Sequence, residues 1–225
     1  MTRSLAASRR PVAWGWIVGK GLAHALALLP ALVLGLWILQ ALGGADTLGA
    51  DPVATITHYT GIWALRMLLV ALAITPLRRL TGWNGWVRFR RLLGLYAFVY
   101  ASLHFATYLF LDLGGLWGQI LEDLVKRTYI TVGVLAWLIL AALAATSTTA
   151  AIRRLGRRWA QLHRLVYVAA VLAVLHFVWL VKADLREPAL YAALLAVLLG
   201  ARIVHRLRQR SAVSRSSAAR TPAAR

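Results

Sequence analysis

Apolar residues run along the chain in six long stretches, each separated from the next by a short polar segment. The stretches fall at about 22–39, 61–77, 92–111, 128–145, 162–181 and 189–204. Sixteen to twenty residues rising about 1.5 Å each cross most of a hydrocarbon layer, so the pattern predicts six transmembrane helices. Pro30 lies near the middle of the first stretch and should bend it, which neighbouring helices tolerate in a membrane. The second stretch is short for an average bilayer and carries Arg66. The connecting segments leave no room for a soluble catalytic domain, so any chemistry belongs within the bundle or at its faces.

The polar segments alternate in charge. Arginines gather before the first stretch, between the second and third, between the fourth and fifth, and after the sixth. The other segments are acidic or mixed. The positive-inside rule then places both termini in the cytoplasm, with odd-numbered spans running outward. The predicted organisation is a basic cytoplasmic segment over residues 1–13, a six-helix domain over 14–205, and a basic cytoplasmic tail over 206–225. A cleaved signal peptide is the alternative for the amino terminus, but no small-residue cleavage site follows a short apolar core. The tail, rich in serine, alanine and arginine, has too little apolar surface to bury and is predicted to be disordered.

Composition agrees. Of 225 residues, 60% are hydrophobic and only 15% charged, against roughly a quarter charged in soluble domains. The mean hydropathy of +0.68 points the same way. A net charge of +19 would suggest nucleic acid in a soluble protein; here the cations sit between apolar runs, as in a bacterial inner-membrane protein. With no cysteine, disulfides, zinc–thiolate sites and cysteine-ligated iron–sulfur clusters are excluded. A redox role would use histidine ligands or an organic cofactor.

The third stretch, RFRRLLGLYAFVYASLHFATYLFL, opens on cations and holds one strongly polar interior group, His104. Tyr96, Tyr100, His104 and Tyr108 recur every fourth residue and share one helix face. An imidazole in hydrocarbon needs a partner. His104 is about 20 Å into its helix from Arg91, and His176 about 27 Å into another outward-running helix from Arg158. Both fall in the outer half of the bilayer, where one imidazole from each could hold a porphyrin iron. Such ligation leaves no open site and suits electron transfer. His163 and His24 form a second pair at matching depth near the cytoplasmic ends of their helices. Hydrogen bonding to a serine or carbonyl of a neighbouring helix is the other role open to these histidines. Arg90 and Arg91 either hold their loop in the cytoplasm or grip an anionic cofactor phosphate or propionate. A small transporter with histidine proton relays is a further reading, weakened by the lack of acids inside the spans.

The segments TGIWALRMLLVALAITPLRRL, RFRRLLGLYAFVYASLHFATYLFLDL, KRTYITVGVLAWLILAALAATST and LGRRWAQLHRLVYVAAVLAVLHFVWLVK resemble the MsrQ family. These are haem-binding membrane subunits of the protein-methionine-sulfoxide reductase system, within the ferric-reductase-like transmembrane group. The resemblance extends over about residues 20–203 and implies b-type haem and FMN as cofactors. It also implies electrons drawn from the quinone pool or a cytoplasmic flavin reductase. They would pass to a periplasmic molybdopterin subunit, MsrP, that reduces oxidised methionines in periplasmic proteins. The family's haem-associated histidines fall on His104, His163 and His176. Larger relatives carry two histidines on each of two helices; the third helix here has one, unless His24 replaces the missing ligand. Electron delivery to ferric iron or oxygen is the alternative within the same group.

Overall fold

A computed structural model describes residues 14–181 and 183–218, and these are all-helical, without strands. Six helical runs are long and apolar enough to cross a membrane: 14–42, 52–81, 84–112, 128–145, 157–180 and 186–211. All six predicted stretches are recovered, most of them extended by helical turns at the ends. The predicted basic segment 1–13 lies outside the described residues.

The first span is α1, Trp14–Leu42. Leu22, Leu29, Leu32, Leu36 and Leu39 are all exposed on it, the outward apolar surface expected where lipid replaces water. Pro30 removes a backbone donor, and the side chain of Tyr100 enters the helix at that point. Its hydroxyl accepts from Ala31 N–H (3.0 Å) and donates to the Ala27 carbonyl (2.8 Å). Tyr100 is thus both a core side chain, 2% exposed, and the repair of a proline bend.

The second span, α2 (Pro52–Thr81), is capped by the Asp51 carboxylate accepting from Ala54 N–H and ends at Gly82, whose φ of 69° closes the helix. A 3₁₀ turn at Asn84–Trp86 leads into α3, Val87–Ala106, which continues as one π-helical turn over Thr107–Asp112. The amphipathic α4, Trp117–Lys126, follows at the acidic end of the bundle. It turns Ile120 and Asp123 inward and leaves Trp117, Leu121 and Val125 exposed along one stripe. Asp123 anchors it, accepting from Tyr108 Oη (3.0 Å) and pairing with the Arg127 guanidinium, whose Nε is 3.1 Å away.

The fourth span is α5, Thr128–Ala145. Short helices α6 (Thr149–Leu155) and α7 (Arg157–Leu162) turn the chain at the basic end, with Gly156 between them at φ 51°. The fifth span is completed by α8, Leu165–Leu180, and the sixth is α9, Arg186–Ala218. Over 206–218, where disorder was predicted, α9 continues as helix to Ala218, and 219–225 lie outside the described residues. Nothing needs to be buried for this. Elongating a formed helix is cheap compared with nucleating one, and residues 206–218 contain no glycine or proline.

Four helices make the centre: α2 packs on α3, α5 packs on α8, and α3 faces α5. The core runs through Leu65, Leu68, Leu72, Ala97, Tyr100, Ala169, Ala170 and Val174. Ala97, Ala169 and Ala170 are fully buried, small residues that let backbones approach closely without a solvent-driven hydrophobic effect. Arg66, awkward in a span by sequence, donates from Nε to Tyr191 Oη (2.8 Å) and lies over the Trp63 ring.

Candidate functional site

His104 on α3 and His176 on α8 meet between the central helices, their ring centres 6.1 Å apart and their planes at 75°. Each ring is held the same way. His104 Nδ1 is 2.9 Å from the Thr57 carbonyl, and His176 Nδ1 is 2.6 Å from the Tyr129 carbonyl. A carbonyl only accepts, so both Nδ1 atoms carry the proton and both Nε2 atoms keep a free lone pair. This is the tautomer a metal requires, with the second nitrogen fixed by an outer hydrogen bond.

A glycine lies one turn beyond each of these carbonyls. A Cβ on Gly61 would stand 3.0 Å from His104 Nδ1, and a Cβ on Gly133 would stand 2.7 Å from His176 Nδ1. Each histidine ring therefore packs flat against a helix that has no side chain at the point of contact. The carbonyl-to-histidine separation is 47 residues in both halves. A shift of 72 residues carries Thr57, Gly61 and His104 onto Tyr129, Gly133 and His176. It also superposes Ala97, Val99, Ala101, Leu103, His104 and Phe105 on Ala169, Val171, Ala173, Leu175, His176 and Phe177. The site is built from two equivalent helix pairs, α2–α3 and α5–α8, running in the same sense. The repeated A-x-V-x-A-x-L-H-F was the available signal in the sequence, and it names the glycines as well as the ligands.

The paired rings border a cavity of about 490 Å³, within the range of cofactor sites. Ala101, Phe105, Trp137, Ala173 and Phe177 give it apolar walls, and Asp51, His58, Asp112 and Arg127 stand at its acidic end. Thr57 Oγ1 is buried there without a hydrogen-bond partner among the described residues. Two imidazoles bound coaxially to one metal through bonds of about 2 Å bring their ring centres to about 6.3 Å. The observed 6.1 Å is of that size.

The other predicted site residues lie elsewhere. His163 Nε2 is 3.1 Å from Thr146 Oγ1, and Trp159 stacks on its ring at 4.1 Å. The Thr146 hydroxyl gives its proton to the Ala142 carbonyl (2.7 Å), so it accepts from His163, whose Nε2 is thereby protonated. His24 Nδ1 is 2.9 Å from Tyr96 Oη, on the side where α1 packs against α3. His24 and His163 thus turn to different helices, whereas the rings of His104 and His176 face each other. Arg90 is half-buried at the basic end, close enough for its charge to act on His163, and Arg91 is exposed. His58, which by sequence looks like a loop or interface residue, is in the first turns of α2, pairs with Glu187 (3.6 Å) and borders the cavity.

Six helices long and apolar enough to cross a membrane, with two facing imidazoles among the central ones, make this a multi-pass membrane bundle. Residues 60–174 match the ferric reductase like transmembrane component family, a stretch that begins within α2 and ends within α8, two residues before His176. The chain is 59% identical over 202 residues to the "Protein-methionine-sulfoxide reductase heme-binding subunit MsrQ" of Xanthomonas euvesicatoria, covering 89% of this chain and 93% of that protein. It is 58% identical over 204 residues to the protein of that name from Xanthomonas campestris, with 90% and 93% covered. The like-named protein of Azospira oryzae is 49% identical over 187 residues, with 81% and 77% covered. The chain belongs to the MsrQ family.

Proposed function

We propose that His104 and His176 are the axial ligands of a b-type haem, and that the chain carries electrons across the bacterial inner membrane. The observation that carries this reading is the pair of imidazoles 6.1 Å apart with both Nδ1 atoms tied to carbonyls. Bound between them, a haem supplies reversible one-electron chemistry with no open coordination site. The protein's part is to fix both tautomers, hold both ring planes, and keep water from the ligands behind Phe105, Phe177 and Trp137.

In this reading both termini are cytoplasmic, the 14–205 bundle is the haem domain, and the paired histidines lie toward the periplasm. Electrons enter from the quinone pool or a cytoplasmic flavin reductase, with FMN held at the basic end near Arg90 and Arg91. They leave to a periplasmic molybdopterin subunit of the MsrP type, which reduces oxidised methionines in periplasmic proteins. The names of the relatives, which place them in the methionine-sulfoxide reductase system, support this direction. His163 remains a family-based candidate for a second haem, but its protonated Nε2 would first have to leave Thr146.

The test is reoxidation. Haem reduced by quinol in membranes holding the chain should be reoxidised when a periplasmic molybdopterin partner and an oxidised-methionine protein are added together. Reoxidation by ferric iron or oxygen alone, unaffected by that partner, would favour the second reading, a ferric or oxygen reductase, which the matched family name also suits.

A further inference from the structure

The proposed electron path makes no use of the apolar stripe on α4. Trp117, Leu121 and Val125 recur at every fourth residue and are 69%, 66% and 84% exposed, so the bundle covers little of them. At about 100° per residue the helix shows three faces. Ile120 and Asp123 turn to the bundle, where α4 packs on α5. Gln119, Glu122 and Lys126 are exposed on a polar face about 130° round from the stripe, with the Lys126 ammonium paired to the Glu122 carboxylate. Two free faces of such opposite character cannot both suit water.

The length of α5 sets the level at which α4 lies. Its 18 residues rise about 27 Å, and a hydrocarbon layer is about 30 Å thick. A spanning helix no longer than the layer has both ends at the layer's boundaries. Arg127 is the single residue between α4 and α5, so α4 begins at that boundary. The Thr131 hydroxyl, in the first turn of α5, donates to the Leu124 carbonyl and keeps α4 from rising away. Asp123 accepts from Tyr108, on the π-helical turn that ends the third span, so both neighbouring spans hold α4 at the same height.

The chain on either side carries the stripe on. Phe110 and Leu111, in that π-helical turn, are exposed, as is Leu116 where the chain enters α4. Leu135 and Leu138 are exposed on α5. On a spanning segment such side chains face lipid, so the apolar face of α4 continues a lipid-facing surface. Tryptophan is enriched at this level, where an apolar ring meets the headgroups.

We propose that α4 is an interfacial helix that binds the lipid leaflet at the acidic end of the bundle, with Trp117, Leu121 and Val125 among the acyl chains and Glu122 and Lys126 in water. Amphipathic helices of this kind bury their apolar face about 5–10 Å into the headgroup boundary. The contact matters to the site because Asp123 holds Tyr108 and Arg127, and both border the histidine-lined cavity. Lipid on one face of α4 thus steadies the rim of the cavity on another. The proposal needs a membrane-spanning bundle and nothing from the haem reading.

The chain has no cysteine, so a single introduced one carries a label at one known place. Leu121→Cys, Val125→Cys and Glu122→Cys, all at exposed positions of the full-length chain, are spin-labelled and reconstituted in phosphatidylcholine nanodiscs. Collision of each label with oxygen, which concentrates in lipid, is compared with collision with a water-soluble nickel chelate. Labels at 121 and 125 should favour oxygen over nickel about fivefold more than the label at 122 does, the contrast between acyl chains and water. Equal nickel access at all three positions overturns the proposal and leaves the stripe to a partner on the water side. A second measurement reads the consequence for the rim. Leu121→Asp combined with Val125→Asp should speed amide exchange over residues 117–127 by about tenfold in nanodiscs, with α2 and α5 still protected. Unchanged exchange there overturns the steadying role, and the label measurement decides the lipid contact even if the double variant fails to fold.

Discussion

Gly133→Ala is the most informative small change available in this protein. The new Cβ would lie 2.7 Å from His176 Nδ1 and 2.9 Å from Cε1. Ordinary contact needs about 3.5 Å, so the ring must retreat by about 0.8 Å. It cannot do so and keep the 2.6 Å bond to the Tyr129 carbonyl. Losing that bond costs about 0.5–1.5 kcal/mol, and overpacking about 1–3 kcal/mol. Alanine returns up to about 1 kcal/mol of helix propensity. Together these give about 0.5–4.5 kcal/mol of destabilisation, and the midpoint of about 2.5 kcal/mol lowers Tm by about 5–10 °C for a chain of this size, with weaker haem retention. At Gly61 the contact is 3.0 Å, so alanine there should do the same more mildly. Gly94 in α3 has nothing within 4 Å and serves as the control, where alanine should be neutral or slightly stabilising. Thermal unfolding and haem per chain, measured on all three variants, check the ranking. Gly133→Ala matching Gly94→Ala in both measurements would refute the close-packed ring.

Three further outcomes follow from individual contacts. Tyr100→Phe leaves the Ala31 N–H and the Ala27 carbonyl unpaired beside Pro30, at a cost of about 1–3 kcal/mol, read as a lower Tm; an unchanged Tm would mean that the bend satisfies itself. Asp123→Ala removes the acceptor shared by Tyr108 and Arg127, so α4 should show faster amide exchange and proteolysis over residues 113–127 while α2 and α5 keep their protection. Thr146→Val removes the acceptor that holds the His163 Nε2 proton, and the spectrum of the haem proposed between His104 and His176 should not change; a changed spectrum would tie His163 to that haem.

The spans were legible because hydrocarbon demands unbroken apolar runs, and the similar level of His104 and His176 because counting residues from the arginine clusters measures depth. What depth could not supply is azimuth. His24 and His163 lie at similar depth by the same count, yet one turns to Tyr96 and the other to Thr146. The role of Gly61 and Gly133 was also hidden, since a glycine in an apolar helix has no visible purpose until the ring it accommodates is known. It was written in the repeat, for anyone aligning residues 57–105 with 129–177. Arg202 falls inside the last apolar stretch, where the sequence shows no partner for it. Only the structure shows that the Leu72 carbonyl, freed by Pro76, draws it inward.

The central claim is that one iron is held between two imidazoles from equivalent halves of the chain. Electron paramagnetic resonance of the ferric, haem-replete protein tests it directly, recorded for the wild type, His104→Ala, His176→Ala and the double variant. A low-spin bis-imidazole signal that disappears in each single variant, with nothing further lost in the double, is the predicted result. The same low-spin signal persisting in both single variants would contradict it.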